Sequence, residues 1–71
     1  MMTKTERKAI ENYMEHNWNM RNYYKERYDE TGDEWDRETF YKYRNKWLSI
    51  SALLGILDSK EDLKYWANTE V

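Results

Sequence analysis

The chain has 71 residues, 37% of them charged and 39% hydrophobic, and its formal net charge is −2. That length allows one small domain, taken as residues 1–71, with a marginal core of its own, because a chain this short buries only about 60% of its unfolded surface. The 17% aromatic content excludes a disordered tail, the lack of cysteine excludes disulfide staples, and the near-neutral charge gives no argument for nucleic acid, membrane or DNA mimicry.

Small domains without disulfides gain stability from a metal or from self-association, so self-association is the leading expectation. No run approaches the roughly 20 apolar residues that span a bilayer, and the opening MMTKTERKAIEN has no continuous apolar stretch of the signal-peptide kind. A cytoplasmic chain with no membrane association is expected. The charges alternate in blocks: residues 1–28 carry +2, residues 29–36 carry −5, residues 37–47 carry +3 and residues 48–71 carry −2. An acidic turn between two basic helices is the plain reading, with neighbouring opposite charges satisfying one another.

Thr3 and Glu6 have the spacing of a capping box and predict a helix from there to about Asp29 or Glu30, since no glycine or proline precedes Gly32. Its inward stripe is Ile10, Tyr13, Met14, Asn17, Met20, Tyr24 and Tyr28. Asn17 falls near the centre of that stripe, where an amide needs a partner. It fits either a wet helix crossing or a device that fixes register. Arg21 borders the stripe, its stem placed to cover apolar surface. His16 projects away from it, exposed and without a partner.

Thr31 and Gly32 end the first helix and Asp33 caps the next, with Asp33, Glu34 and Asp36 at the positive end of the second helix dipole. A calcium loop beginning at Asp29 fails on spacing, because Glu34 stands where the tight-turn glycine belongs and Phe40 where the bidentate glutamate belongs.

The stretch FYKYRNKWLSISALLGIL is the apolar centre of the chain. Phe40, Tyr43, Trp47, Ile50, Leu54 and Leu57 recur at helical spacing, and Leu53 joins them in a seam for core or oligomer contact. Leu48, Ala52 and Ile56 spread around the other sides, so one neighbouring helix cannot cover them all. Gly55 is a weak spot or a point of close helix approach. Membrane docking of this segment is disfavoured, because Lys42 and Lys46 lie upstream of its apolar part and not opposite it. Ser59 and Asp62 repeat the capping-box spacing and start a short third helix with Leu63, Trp66 and Ala67 on one face, a lid over the end of the second. The expected fold is all-α: an antiparallel helical hairpin plus a short C-terminal helix, completing a helical bundle by dimerisation.

Catalytic chemistry finds no set. A single histidine and no cysteine leave no nucleophile–base pair and no zinc ligand set. Gly32 and Gly55 are too far apart for a phosphate loop, and carboxylates such as Glu11 and Glu15 have no evident cleft. A non-enzymatic chain with no cofactor and no metal is expected.

Two binding readings remain. In the first, a helical dimer docks another protein through aromatics outside the stripes, namely Trp18, Tyr23, Trp35, Tyr41 and Tyr65, with Arg44 beside them. The second, less favoured, is a small helical nucleic-acid-binding regulator using Arg37, Tyr41, Lys42, Arg44 and Lys46, joined by Arg21, Lys25 and Arg27. Those cations spread around the helix, and a first helix of about 25 residues is long for a helix-turn-helix. The tyrosine, asparagine and lysine content, the small size and the missing catalytic set are similar in style to short accessory proteins of bacteriophages and mobile elements. That likeness implies a partner that is a host or defence protein, bound and inhibited.

Overall fold

The computed structural model describes residues 2–69, which form three helices and no strand: α1 (Lys4–Thr31), α2 (Glu34–Asp58) and α3 (Lys60–Ala67). None of these helices is long and apolar enough to cross a membrane. The helix starts follow from side chains that answer orphan amides. Thr3 Oγ1 accepts the Glu6 N–H at 3.0 Å and Glu6 Oε1 accepts the Thr3 N–H at 3.1 Å, which closes the capping box. Asp33 accepts the Trp35 N–H at 2.9 Å, and Ser59 Oγ accepts the Asp62 N–H at 3.2 Å.

The turn is made by Gly32. Its φ of 67° is left-handed, a conformation that costs a side-chain-bearing residue more than glycine, and its N–H donates to the Tyr28 carbonyl at 2.7 Å. Ser59 turns the chain a second time, with extended dihedrals that close α2 and open α3 in one residue.

α1 and α2 lie antiparallel, side by side, and an arginine–aspartate pair joins them near each end. Near the turn, Arg27 Nε stands 3.4 Å from Asp36 Oδ1. At the open end, Arg7 forms a two-pronged pair with Asp58, with Nη2 donating to Oδ2 at 2.7 Å. α3 touches α2 and not α1. The result is a plate of 46 × 30 × 13 Å with a radius of gyration of 15.6 Å, where a compact chain of this length has about 11 Å. Its thickness is about that of one helix with side chains.

This thinness decides what is covered. Leu54 is the buried hydrophobic residue of the seam, at 7% exposure; Ile10, Met14, Met20, Tyr24, Tyr28, Phe40, Tyr43, Trp47 and Ile50 are half-buried. Tyr13, placed in the inward stripe by spacing, is exposed, which corrects that placement; Leu53 and Leu57 of the core or oligomer seam are also uncovered within the single chain, because a single partner helix covers only a narrow strip of each neighbour. Leu63 and Trp66 of α3 are also exposed, so α3 stands beside α2 as an arm and not over it as a lid. Gly55 makes no close approach, since a methyl group there would meet nothing within 4 Å.

The two most buried polar residues lie in the seam. Asn17 is 1% exposed, its Nδ2 donating to the Tyr13 carbonyl at 2.7 Å while Oδ1 has no partner. Asp36 is 1% exposed. The sequence places it in the first turn of α2 as a dipole-matching acid. It stands there, and its side chain also meets α1, where Thr31 Oγ1 lies 3.1 Å from Oδ2 and Arg27 supplies Coulombic attraction to Oδ1 without an aligned hydrogen bond.

An orphan acceptor in the seam costs more than the single bond Asn17 makes, so Asn17→Leu is expected to stabilise the fold by about 1 kcal/mol. The urea midpoint is the measurement; a fall in it overturns the expectation. Leu54→Asp, which puts a carboxylate into the seam, is expected to cost about 3 kcal/mol or more, read as loss of helical circular dichroism and of assembly.

Candidate interaction surface

On a helical projection, residues flanking the seam fall on the two broad faces of the plate, and the two differ in chemistry. The first, the Tyr43 face, carries a row of rings. Tyr24 and Tyr43 stack across the helices with centroids 5.8 Å apart and planes 6° from parallel. Trp35 meets Tyr24 edge-on at 5.6 Å, Tyr23 meets Tyr24 edge-on at 5.0 Å, and His16 sits 6.5 Å from both Tyr13 and Tyr43. Such pairs add to the area they bury because ring edges are positive and ring faces negative. Two open grooves follow this row, one lined by Tyr24, Trp35, Thr39 and Tyr43, the next by Tyr13, Lys46, Ser49 and Ile50; Lys42 borders both. The Lys46 ammonium is 5.4 Å from the Tyr43 ring centre, close enough for a cation–π contact.

The second, the Trp18 face, is capped by arginine. Trp18 and Trp47 pack across the helices at 4.8 Å, and the Arg21 guanidinium lies over both Trp18 and Phe40, at 4.4 and 5.2 Å. Arg37 stands 5.9 Å over Tyr41 while also reaching Glu34 at 3.4 Å. Arg21, Lys25 and Arg44 make no ion pair among the described residues. The expected snorkel of Arg21 therefore ends on rings and not simply in water.

The candidate partner-binding residues do not gather into one patch. Trp18, Tyr41 and Arg44 lie on the Trp18 face; Tyr23 and Trp35 lie with the Tyr43 row; Tyr65 is on α3, edge-on to Trp66 at 5.2 Å. All of these except Arg44 are exposed large side chains, and Arg44 is exposed too. Trp18 nevertheless has structural partners in Trp47 and Arg21 and is the least exposed of these rings. His16, expected to be idle, joins the Tyr43 row. The spacing of Tyr13, His16 and Met20 on one flank of α1 was the signal for it, obscured by reading only the central stripe. The acidic block is answered in part: among the described residues only Glu34 and Asp36 within it meet cations, Arg37 and Arg27.

No three metal-ligating side chains converge among the described residues. The grooves are shallow and open to solvent, suited to holding a surface rather than enclosing a small molecule. Compared with protein-family models, with curated proteins and with solved structures, the chain matches none.

The hairpin ends respond to acid in a direction that can be worked out. The hydrogen bond from Arg7, aided by its charge, holds the Asp58 carboxyl below the usual carboxylate range, and the Thr3 backbone N–H does the same for Glu6. A depressed folded-state value gives stability that is fully present above the unfolded value of about 4 and is lost as pH falls through the folded value. Unfolding by urea between pH 7 and pH 2 should therefore show a declining midpoint below about pH 4. Asp58→Asn should flatten part of that decline; an unchanged acid limb in the variant would rule the Arg7–Asp58 pair out as a contributor.

Proposed function

We propose that this chain is a non-enzymatic protein–protein interaction module that works as a homodimer of helical hairpins and holds a second protein through exposed rings. Dimerisation turns two thin plates into a four-helix arrangement with an interior. Inhibition by occlusion needs nothing further from the molecule than a rigid surface of this kind.

One observation supports the reading above the others: Leu54 is the buried hydrophobic side chain, while leucines, tyrosines and tryptophans of all three helices stand in water. Exposed apolar surface on this scale marks an interaction site. Tyrosine, tryptophan and arginine are also the residues that most often supply interface energy. The reading is favoured over an active site because the grooves are open and shallow, with the aromatic rows running along the outside.

The alternative, nucleic-acid binding, draws on a specific feature: Arg21, Lys25 and Arg44, which make no ion pair among the described residues, stand beside Trp18, Phe40 and Tyr41. Stacked rings and free cations are what a single strand uses. Light scattering from micromolar to millimolar concentration, with a DNA column in parallel, separates the two. Twice the chain mass of 8.9 kDa and indifference to DNA are expected. Salt-dependent retention on the column would favour the alternative, and a mass of one chain up to millimolar concentration would overturn the dimer.

A further inference from the structure

We propose that a second copy of this chain seats on the Tyr43 face, the two hairpins meeting face to face about a two-fold axis, and that the Trp18 face stays outward for the other protein. This rests on the homodimeric reading above and specifies which surface forms the dimer.

The area sets the scale. The chain exposes 5964 Å², whereas a compact monomer of 8.9 kDa exposes about 4,800 Å². The excess, roughly 1,200 Å², is more than the about 800 Å² that each partner gives to an interface of standard size, and less than two such faces would need. The hairpin has the matching footprint. α1, at 28 residues, is about 42 Å long and two adjacent helices are about 20 Å wide, so one broad face offers about 800 Å². Self-association through one face, and not both, therefore accounts for the surplus.

The chemistry chooses between the faces. On the Tyr43 face, exposed Tyr13, Leu53 and Leu57 flank half-buried Ile50 and continue the ring row made by Tyr24, Tyr43 and Trp35. Its cations are Arg27, which lies 5.8 Å over Tyr23 and pairs with the buried Asp36, and Lys42 and Lys46, whose long stems can lie along an apolar neighbour while the ammonium reaches the rim. On the Trp18 face the Arg21 guanidinium lies over Trp18 and Phe40 and the Arg37 guanidinium over Tyr41. Arg37 has Glu34 as a partner, but Arg21, Lys25 and Arg44 make no ion pair among the described residues, and burying this face against an identical one would bring those like charges together. Like pairing with like on the Tyr43 face also closes the assembly at two copies. Pairing Tyr43 face to Trp18 face would leave a Tyr43 face open at one end and a Trp18 face open at the other, and build a stack.

Two leucines of α2 make a matched test. Leu53 is 50% exposed on the Tyr43 side, five helical turns from Trp35; Leu48 is 44% exposed on the Tyr41 and Arg44 side, about 140° around the axis. Neither is buried within the hairpin, so the same change at each alters a surface and not the seam. Leu53→Glu is expected to raise the dimer dissociation constant at least about tenfold, since the two-fold axis makes the change count twice, while Leu48→Glu should leave it within about twofold. Sedimentation velocity gives the constant, and circular dichroism checks that both variants keep their helices. If Leu48→Glu dissociates a wild-type dimer and Leu53→Glu does not, or if both act equally, the face assignment is overturned while the homodimer stands. A wild-type chain that stays monomeric overturns both, and one that grows past two copies with concentration overturns the two-fold arrangement.

Discussion

Two helices joined by a tight turn can shelter only the strip along which they touch. Everything else about this molecule follows from that limit. The seam between α1 and α2 has room for one fully covered hydrophobic side chain, Leu54, and a row of half-covered ones. A third helix packed across the hairpin would add a layer, but α3 turns away at Ser59 and touches α2 alone. The plate is left with two broad faces, and the aromatic and aliphatic side chains that a larger domain would hide are distributed over both.

The seam itself is unusually polar for so narrow an interior. Its two least exposed residues are an asparagine and an aspartate, and its ends are joined by arginine–aspartate pairs. Such groups add little net stability when partly solvated and are demanding about geometry, which suits them to fixing how two helices align. Arg27 with Asp36 near the turn and Arg7 with Asp58 at the far end hold the same antiparallel register along the whole length of the hairpin. Between them, Tyr24 on Tyr43 and Trp18 on Trp47 repeat it in rings. Alignment is thus written several times over in directional contacts, while bulk apolar burial, the usual source of stability, is left incomplete.

That imbalance is what the proposed interaction role builds on. Under that proposal the unfinished burial is met by a counterpart, and the two faces suit different ones. Leucines and rings bordered by lysine stems suit a like surface. Rings covered by guanidiniums suit a partner able to supply acids or further aromatic edges. The division of labour argued for the Tyr43 and Trp18 faces rests on this contrast.

Much of the secondary structure was legible in the sequence. Thr3 with Glu6, Gly32 with Asp33, and Ser59 with Asp62 placed the starts of all three helices and the ends of α1 and α2 to within a residue or two, because capping hydrogen bonds act over three or four residues and need no distant partner. The central positions of the seam, Leu54 and Asn17, were legible as well, from helical periodicity. The surroundings of Tyr13, Asp36 and His16 were not. Periodicity reports which side of a helix a residue is on, but how wide a strip gets covered depends on how many helices arrive and at what angle. Asp36 shows the same split: local rules assign it to the start of its own helix, and only the approach of Arg27 and Thr31 on α1 draws it inward. The chain by itself determined where helices begin, end and turn, through contacts a few residues long. The tertiary arrangement decided which side chains remain uncovered, because that depends on contacts between residues far apart in the chain.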